Sequence, residues 1–135
     1  MCLAADLTGA PTACLSLVED ERQVFVAHHG LPGPLEEAGG TPISHSFCAA
    51  TVRTGQPVVA PDAATHPLLA DNPAIEDYGA RAYAGMPVYG RDAHQVGALC
   101  AIDDHPREWT PERLTSLERL AATISKLLTA RSHGA

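Results

Sequence analysis

The sequence predicts an α+β domain of three layers, in which helices cover both faces of an antiparallel sheet. Two strand patterns, Thr12–Val18 and residues 23–28, flank a charged turn and predict a hairpin. Two further strands, Ala82–Tyr89 and Gln95–Asp103, are apolar along nearly their whole length, as expected for a sheet that is covered on both faces. A long amphipathic helix follows them, and the mixture of these elements defines the fold class.

The final helix, residues 110–131, has the clearest pattern. Thr110 is suited to the N-cap position, Pro111 to the first helical position and Glu112 to the positive end of the helix dipole. One part of the apolar stripe can cover the sheet while the rest continues as a seam with a partner helix. The stripe repeats at spacings of three and four and comprises Leu114, Leu117, Leu120, Ala121, Ile124, Leu127 and Leu128.

The middle of the chain combines one helix pattern with turn-rich segments. Residues 30–42 are rich in Gly and Pro and are expected to form a loop. Residues 44–54 predict a short helix, with Ser44 as the N-cap and Gly55 as the left-handed residue that ends it. A brief strand is predicted at residues 57–60.

Residues 61–79 predict a lid or binding loop, because so long a turn-rich segment is unusual in a small domain unless it has a function. One helical turn is expected near residues 73–78. The acidic and amide side chains of this segment could hold a polar ligand, but they are also common turn and capping residues, and we favour the turn interpretation.

Composition bounds the function. The 135 residues fit one domain, residues 1–135, and a net charge of −7 argues against a nucleic-acid partner, because phosphate contacts need a surplus of Lys and Arg. No apolar run is long enough to span a bilayer and no signal pattern opens the chain, so we expect a cytoplasmic protein without a membrane partner. The opening MCLAADLTGAP has the pattern of a helix end, which predicts a truncated first helix and a longer parent chain.

Four runs of the sequence resemble one known family: SLVEDERQVF, SHSFCAATVRTGQPVVAPDA, HPLLADNP and AYAGMPVYGRDAHQVGALCAIDDHPREWT. Together they are similar to GAF domains, and most of all to the branch found in bacterial sensor histidine kinases, diguanylate cyclases and related signalling proteins. The similarity covers nearly the whole chain, residues 6–131. It implies a PAS-like antiparallel sheet of five or six strands in the order 2-1-5-4-3, with the terminal helices on one face and a pocket under the lid on the other.

The resemblance implies a sensory or regulatory module of a signalling protein, such as a two-component system, without catalytic residues of its own. A small ligand or a redox change would alter the lid, and the final helix would pass the change to an output domain, such as a histidine kinase, cyclase or phosphatase. Pairing of the terminal helices implies a homodimer. By analogy with the fold, the expected pocket residues are Phe47, Asp62, His66, Tyr78, Tyr83 and Cys100.

The resemblance also leaves alternatives and limits the cofactors. One alternative is a redox enzyme of the free methionine-(R)-sulfoxide reductase type that uses Cys48 and Cys100, and another is a dimerisation module without a ligand. Such reductases and the bilin-binding members use a lid cysteine, whereas residues 57–83 contain none, and the Asn-Lys-Phe motif of cyclic-nucleotide-binding members is absent. His66 is the one attractive axial ligand for haem, although a His-Pro pair is more often a turn. We therefore expect no cofactor and no metal.

The segment SHSFC, residues 44–48, raises the question of chemistry most directly. His45 and Cys48 fall on one face of the predicted helix, which is compatible with an activated thiolate, half of a metal site or simple helix packing. Two ligands do not complete a zinc site, and we favour packing with Phe47 in the core. The cysteines form no CxxC pair and are interpreted as buried, reduced thiols: Cys2, Cys14, Cys48 and Cys100.

Overall fold

An antiparallel sheet of six strands forms the centre of the described structure. The computed structural model describes residues 2–31, 33–90 and 95–134. The sheet order is β3-β2-β1-β6-β5-β4, which is the predicted order with one short strand, β3, added at the edge. The strands are β1 (Thr12–Val18), β2 (Arg22–His29), β3 (Gly40–Pro42), β4 (Val58–Ala60), β5 (Ala82–Tyr89) and β6 (Gln95–Asp103).

Helices lie on both faces of the sheet, which confirms the predicted three-layer α+β class. The terminal helices α1 and α5 cover one face, and α3 and the lid, residues 61–79, cover the other. Gly55 ends α3 in the left-handed conformation, as predicted, with φ of 66°. The helices of the described residues are α1 (Cys2–Thr8), α2 (Gly33–Ala38), α3 (Cys48–Thr54), α4 (Ala74–Tyr78) and α5 (Pro111–Gly134), with 3-10 turns at Ile43–His45 and Ala63–Thr65.

The prediction of a loop over residues 30–42 is wrong for most of that segment, which contains α2 and β3. Buried Leu35 gives α2 an apolar anchor, and Gly39 reverses the chain with φ of 68°. The Gln23 side chain on β2 then donates from Nε2 to Thr41 Oγ1 on β3 at 2.8 Å. These contacts connect residues distant in sequence, so the local abundance of Gly and Pro concealed them.

The prediction of Ser44 as an N-cap is also wrong. Ile43–His45 form a separate 3-10 turn, and α3 begins at Cys48. Ser46 Oγ instead accepts a hydrogen bond from the Ala49 N–H at 3.1 Å, in the manner of a helix cap. Cys48 is therefore the first residue of the helix and not one turn inside it.

Side chains along the strands alternate between two apolar cores, as the strand period of two requires. The terminal-helix core, between the sheet and α1 with α5, includes Ala84, Met86, Val88, Leu99, Ala101, Leu117 and Ala121. The cavity core, between the sheet and α3 with the lid, includes Cys14, Phe47, Cys48, Leu69, Tyr83, Ala98 and Cys100.

Two arginines join the end of α1 to the start of α5. Arg107 Nη2 and Arg113 Nη1 donate to the Thr8 carbonyl oxygen at 3.0 and 2.8 Å, and Arg107 Nη1 donates to the Gly9 carbonyl oxygen at 3.1 Å. Carbonyl groups at a helix C-terminus carry partial negative charge, which favours cationic donors. The two terminal helices therefore form one connected unit.

The final helix begins as predicted. Its first residue is Pro111, and Thr110 Oγ1 accepts a hydrogen bond from the Arg113 N–H at 3.4 Å. Leu117 is fully buried, whereas Leu127 is 61% exposed. Within the described ranges, no helix combines the length and the apolar character that crossing a bilayer requires.

Candidate functional site

A cavity of about 280 Å³ lies between the sheet and the end of the lid. The lid contributes Ala74, Tyr78 and Gly79 to the lining, Ala80 lines the cavity directly after the lid, and exposed Gly30 and Asp104 border the opening. Strands β1, β2, β5 and β6, with α2 and α3, supply most of the rest. These floor and wall residues are mainly apolar or small: Cys14, Ser16, Phe25, Leu35, Phe47, Cys48, Tyr83, Cys100 and Ile102.

Four of the six residues predicted for the pocket line this cavity: Phe47, Tyr78, Tyr83 and Cys100. Phe47 meets Tyr83 edge to face, with ring centroids 5.4 Å apart and an interplanar angle of 78°. The structure thus brings together residues that are up to 53 positions apart, from Phe47 to Cys100. Their contact with a ligand stays a prediction.

The other two predicted residues, Asp62 and His66, lie outside the cavity lining, because both are engaged in turns of the lid. Asp62 Oδ1 accepts the Ala64 N–H at 3.1 Å, and Asp62 Oδ2 pairs with Arg81 Nη2 at 3.1 Å. Hydrogen bonding to Arg81 chiefly, and to the Ala64 N–H, lowers the pKa of Asp62. His66 Nδ1 accepts the Leu68 N–H at 3.1 Å. Their geometry fits the turn interpretation better than ligand binding.

Tyr83 organises the cavity floor through its hydroxyl group. The hydroxyl lies 2.8 Å from Thr51 Oγ1 and donates to Cys48 Sγ at 3.4 Å. Burial raises the pKa of Tyr83 well above its ordinary value, so the group is a neutral hydroxyl at physiological pH. The ring lies over Gly85, where any Cβ atom would collide with it. A glycine at this position is therefore required for the Tyr83 conformation.

Three cysteines that are distant in sequence meet at the same floor. Cys14 and Cys100 are directly opposite each other on β1 and β6, and their sulfur atoms are 3.2 Å apart. Cys48 lines the same cavity from α3, and Cys48 and Cys100 each affect the pKa of the other. All three are free and buried thiols, with exposed fractions of 1%, 0% and 3% for Cys14, Cys100 and Cys48. Their burial agrees with the sequence interpretation, but their meeting was not predicted.

The thiols of this cluster differ in acidity. The hydrogen bond from Cys100 chiefly lowers the pKa of Cys48, against the opposing effect of burial, and Tyr83 adds to the lowering. Hydrogen bonds with Cys14 and Cys48, followed by burial, raise the pKa of Cys100 well above its ordinary value. Negative charge at the floor of the cavity is therefore favoured on Cys48.

Polar side chains beside the cavity already have partners within the protein. Ser46 Oγ donates to Gln23 Oε1 at 2.8 Å, Gln23 Nε2 donates to Thr41 Oγ1, and Thr41 Oγ1 donates to the Pro42 carbonyl oxygen at 3.0 Å. No Lys or Arg is present among the described residues of the lining. The cavity therefore favours a neutral and mainly apolar molecule over an anion.

His45 connects the cavity wall to the lid and not to Cys48. Its Nε2 atom is 2.7 Å from Asp77 Oδ2, and its ring centroid is 5.3 Å from that of Tyr78. The predicted common face of His45 and Cys48 does not form, because the 3-10 turn separates His45 from α3. The segment SHSFC thus provides neither a nucleophile with its base nor half of a metal site.

One group of potential metal ligands lies elsewhere. Among the described residues, only Asp103, Asp104 and His105 place three ligand atoms within 4.8 Å of one another. Asp103 Oδ2 is occupied by Arg107 Nη1 at 3.3 Å, and the other two residues are exposed. The geometry fits a solvated strand end.

The sequence analysis did not assign three residues to the site that the structure places at or beside the cavity floor: Cys14, Ser16 and Thr51. Cys14 and Cys100 occupy inward positions of two strands that the predicted sheet order makes neighbours, so the order contained a signal that they meet. Ser16 and Thr51 carried no comparable signal, because small hydroxyl residues are common in strands and helices.

An antiparallel sheet between two helical layers, with an apolar cavity under a lid, defines an α+β domain of the PAS-like class. A family model described as the GAF domain matches residues 1–128. The chain therefore belongs to the GAF domain family, which confirms the resemblance seen in the sequence.

Similar proteins include enzymes and signalling proteins. The cyclic di-GMP phosphodiesterase PA2567 of Pseudomonas aeruginosa is 34% identical over 125 residues, which cover 91% of this chain; the chain spans only 20% of the length of that relative.

Two solved structures share the fold. A free methionine-R-sulfoxide reductase from Neisseria meningitidis superposes with a TM-score of 0.76 at 20% identity, over 99% of this chain and 76% of the other. A domain of a two-component sensor histidine kinase protein from Sinorhizobium meliloti superposes with a TM-score of 0.69 at 15% identity, over 97% and 88%. At these identities the similarity establishes the fold and not the activity.

Replacing Tyr83 with Phe is expected to lower the free energy of unfolding by about 1–3 kcal/mol, because the Thr51 hydroxyl stays buried without its partner. Thr51→Val removes the other partner, so the double variant should lose less than the sum of the single variants. Loss of the Tyr83 hydroxyl should also raise the pKa of Cys48, because a hydrogen bond to the thiolate disappears. Urea unfolding and the pH titration of thiolate absorbance measure these effects. Strict additivity with an unchanged Cys48 titration would show that the groups do not interact.

Proposed function

We propose that this GAF domain is a non-catalytic sensory module of a signal-transduction protein, which binds a small neutral molecule in the cavity and transmits the binding event through α5. The observation that carries the proposal is the 280 Å³ cavity with its mainly apolar lining. A cavity of this size accommodates a compact molecule and is near the lower limit for ordinary ligand sites. The fold shared with a sensor histidine kinase domain supports the same role.

The lining restricts the class of ligand. A cyclic nucleotide carries phosphate charge, and no cationic side chain is present among the described lining residues to meet it. The polar chain from Ser46 to Thr41 is satisfied internally, so a ligand gains affinity mainly by burying apolar surface. The aromatic residues Phe47 and Tyr78 in the lining favour a ligand with an aromatic group.

Filling the cavity tests this proposal. Ala80 is buried, lines the cavity and lies at the end of the lid, so Ala80→Leu should lower the affinity for the neutral fluorescent probe N-phenyl-1-naphthylamine roughly tenfold or more. Ala70→Leu, at an exposed lid position outside the lining, is the matched control and should bind like the wild type. Fluorescence titration measures the affinities, and circular dichroism checks the fold. Equal affinity of both variants and the wild type would show that the probe binds outside the cavity, and it would contradict the proposed ligand site.

Transmission requires an element that leaves the domain, and α5 is the longest helix of the described structure. Leu127 on α5 is 61% exposed and Leu3 on α1 is 56% exposed, so both terminal helices carry uncovered apolar surface. We propose that these helices pair in a homodimer and join the cavity to an output domain, such as a histidine kinase, cyclase or phosphatase. The similarity to a cyclic di-GMP phosphodiesterase supports an enzymatic output.

Leu127→Glu should weaken the dimer while leaving the domain folded, because the side chain contributes little to the protein's own core. Leu117→Glu is the contrasting variant, and it should unfold the protein because Leu117 is fully buried. Sedimentation equilibrium at increasing concentration, with circular dichroism, distinguishes the two effects. A monomeric wild type at high concentration, or unfolding of Leu127→Glu, would contradict pairing through α5.

A second candidate function is reduction of free methionine-(R)-sulfoxide, favoured by the cluster of three thiols and by the fold shared with a reductase. The lid of this chain has no cysteine, which argues against that activity. We expect no consumption of free methionine-(R)-sulfoxide in the presence of dithiothreitol. Catalytic turnover that disappears in Cys48→Ala would instead establish the enzyme and refute the non-catalytic proposal.

A further inference from the structure

We propose that Cys14 and Cys100 form a redox-modification site, which a small hydroperoxide converts to a cross-strand disulfide after it first oxidises Cys48. This inference goes beyond the ligand proposal, because it needs no ligand and concerns the thiols alone. Its three residues line one cavity.

The position of Cys14 and Cys100 suits a disulfide. The two residues are direct partners in the antiparallel ladder between β1 and β6, where Cα atoms are about 4.5–5.5 Å apart. Disulfides span Cα distances of about 4.4–6.8 Å. Their sulfur atoms are 3.2 Å apart, so an approach of about 1.2 Å reaches the bonded distance of about 2.0 Å. Small side-chain rotations can provide this approach without a change of strand register.

Cys48 is the thiol best placed to meet the oxidant. It lines the cavity at the start of α3, where interaction with Cys100 and the hydrogen bond from the Tyr83 hydroxyl at 3.4 Å favour its thiolate. Hydrogen peroxide is small and uncharged, so the apolar lining does not exclude it in the way that it excludes an anion. Larger thiol reagents have little access, because the three cysteine residues are at most 3% exposed.

The same atoms do not suit a metal ion. Three sulfur ligands would need to surround one centre, but the only described group with three ligand atoms within 4.8 Å is Asp103, Asp104 and His105. The interactions are instead arranged in series, because Cys100 contacts Cys14 at 3.2 Å and interacts electrostatically with Cys48. A series of thiols favours successive exchange over coordination.

The chemistry balances in three steps. The Cys48 thiolate attacks one peroxide oxygen, the O–O bond breaks, and hydroxide leaves with a proton to give water and a sulfenic acid. The Cys100 sulfur displaces the sulfenic hydroxyl as a second water and forms a Cys48–Cys100 disulfide. The Cys14 sulfur then attacks Cys100, which transfers the disulfide to Cys14–Cys100 and returns Cys48 as a thiol. Overall, two thiols are oxidised and one peroxide is reduced to two waters.

The final transfer is favoured by geometry. Cys14 and Cys100 are held opposite each other by the central strands of the sheet, whereas Cys48 lies on a different element. The product also closes a long loop, since the two residues are 86 positions apart. Reduced entropy of the unfolded chain then adds to the stability of the oxidised domain.

Peptide mapping after peroxide treatment tests the site. Trypsin places Cys14, Cys48 and Cys100 on different peptides, which are residues 1–22, 23–53 and 92–107. The substitution Cys2→Ala leaves Cys14 as the one cysteine of the first peptide, so each link is assigned without ambiguity. One equivalent of hydrogen peroxide should lower the intact mass by two hydrogen atoms and link peptide 1–22 to peptide 92–107, and dithiothreitol should reverse both changes. A stable link between peptides 23–53 and 92–107, or sulfinic acid without any link, would overturn the proposal.

Two variants in the same Cys2→Ala background separate the steps. Cys48→Ala should slow formation of the Cys14–Cys100 link by about tenfold or more, because the thiol that first meets the oxidant is lost. Cys14→Ala should stop at the Cys48–Cys100 link, which the missing thiol can no longer resolve. An unchanged rate in Cys48→Ala would refute its role as the first thiol. The mapping of the Cys2→Ala protein depends on neither variant, so a variant that fails to fold does not affect it.

Discussion

The antiparallel pairing of β1 with β6 is the constraint on which the rest of the structure depends. It joins Thr12 to Ile102 and Leu17 to Gly97, and so connects the N-terminal hairpin to the C-terminal strands. Without this ladder, the halves β3-β2-β1 and β6-β5-β4 would each expose an edge at the middle of the sheet. Because side chains alternate along a strand, the same register sends Cys100 toward the cavity and its neighbours Leu99 and Ala101 toward the terminal helices.

Local signals explain what the sequence could predict. The N-terminal cap of α5 and the apolar runs of β5 and β6 are formed by residues adjacent in the chain. Their local patterns were therefore sufficient to predict these elements. The meeting of Cys14 with Cys100 depends on register, and a slip of one residue would turn either side chain to the opposite face. Asp62 and His66 were assigned to the pocket by analogy, but the backbone turns of the lid direct them elsewhere. A short edge strand such as β3 has no pattern of its own.

The cavity is mainly apolar toward a ligand because the polar side chains around it are already hydrogen-bonded within the protein. The Tyr83 hydroxyl bonds to both Thr51 and Cys48, and a second set of hydrogen bonds runs from Ser46 through Gln23 to Thr41. Such closed networks stay satisfied without a ligand, so they fix the floor and wall in one arrangement. The lid contacts this frame through the exposed pair of His45 with Asp77, and its buried Leu69 and Ala74 pack in the cavity core. An exposed ion pair contributes little in water, so the lid is held mainly by its apolar contacts.

A continuous set of contacts leads from the lid to the terminal helices. Asp62 on the lid pairs with Arg81, whose N–H donates to the Asp103 carbonyl oxygen at 2.9 Å at the end of β6. The Asp103 carboxylate pairs in turn with Arg107, which holds the carbonyl oxygen of Thr8 at the end of α1. Continuity alone does not make a signal, because coupling requires an element with two arrangements that both ends bias. Under the proposed function the lid is that element, and the arginines fix α1 and α5 together, so a displacement that reaches Arg107 acts on both helices at once.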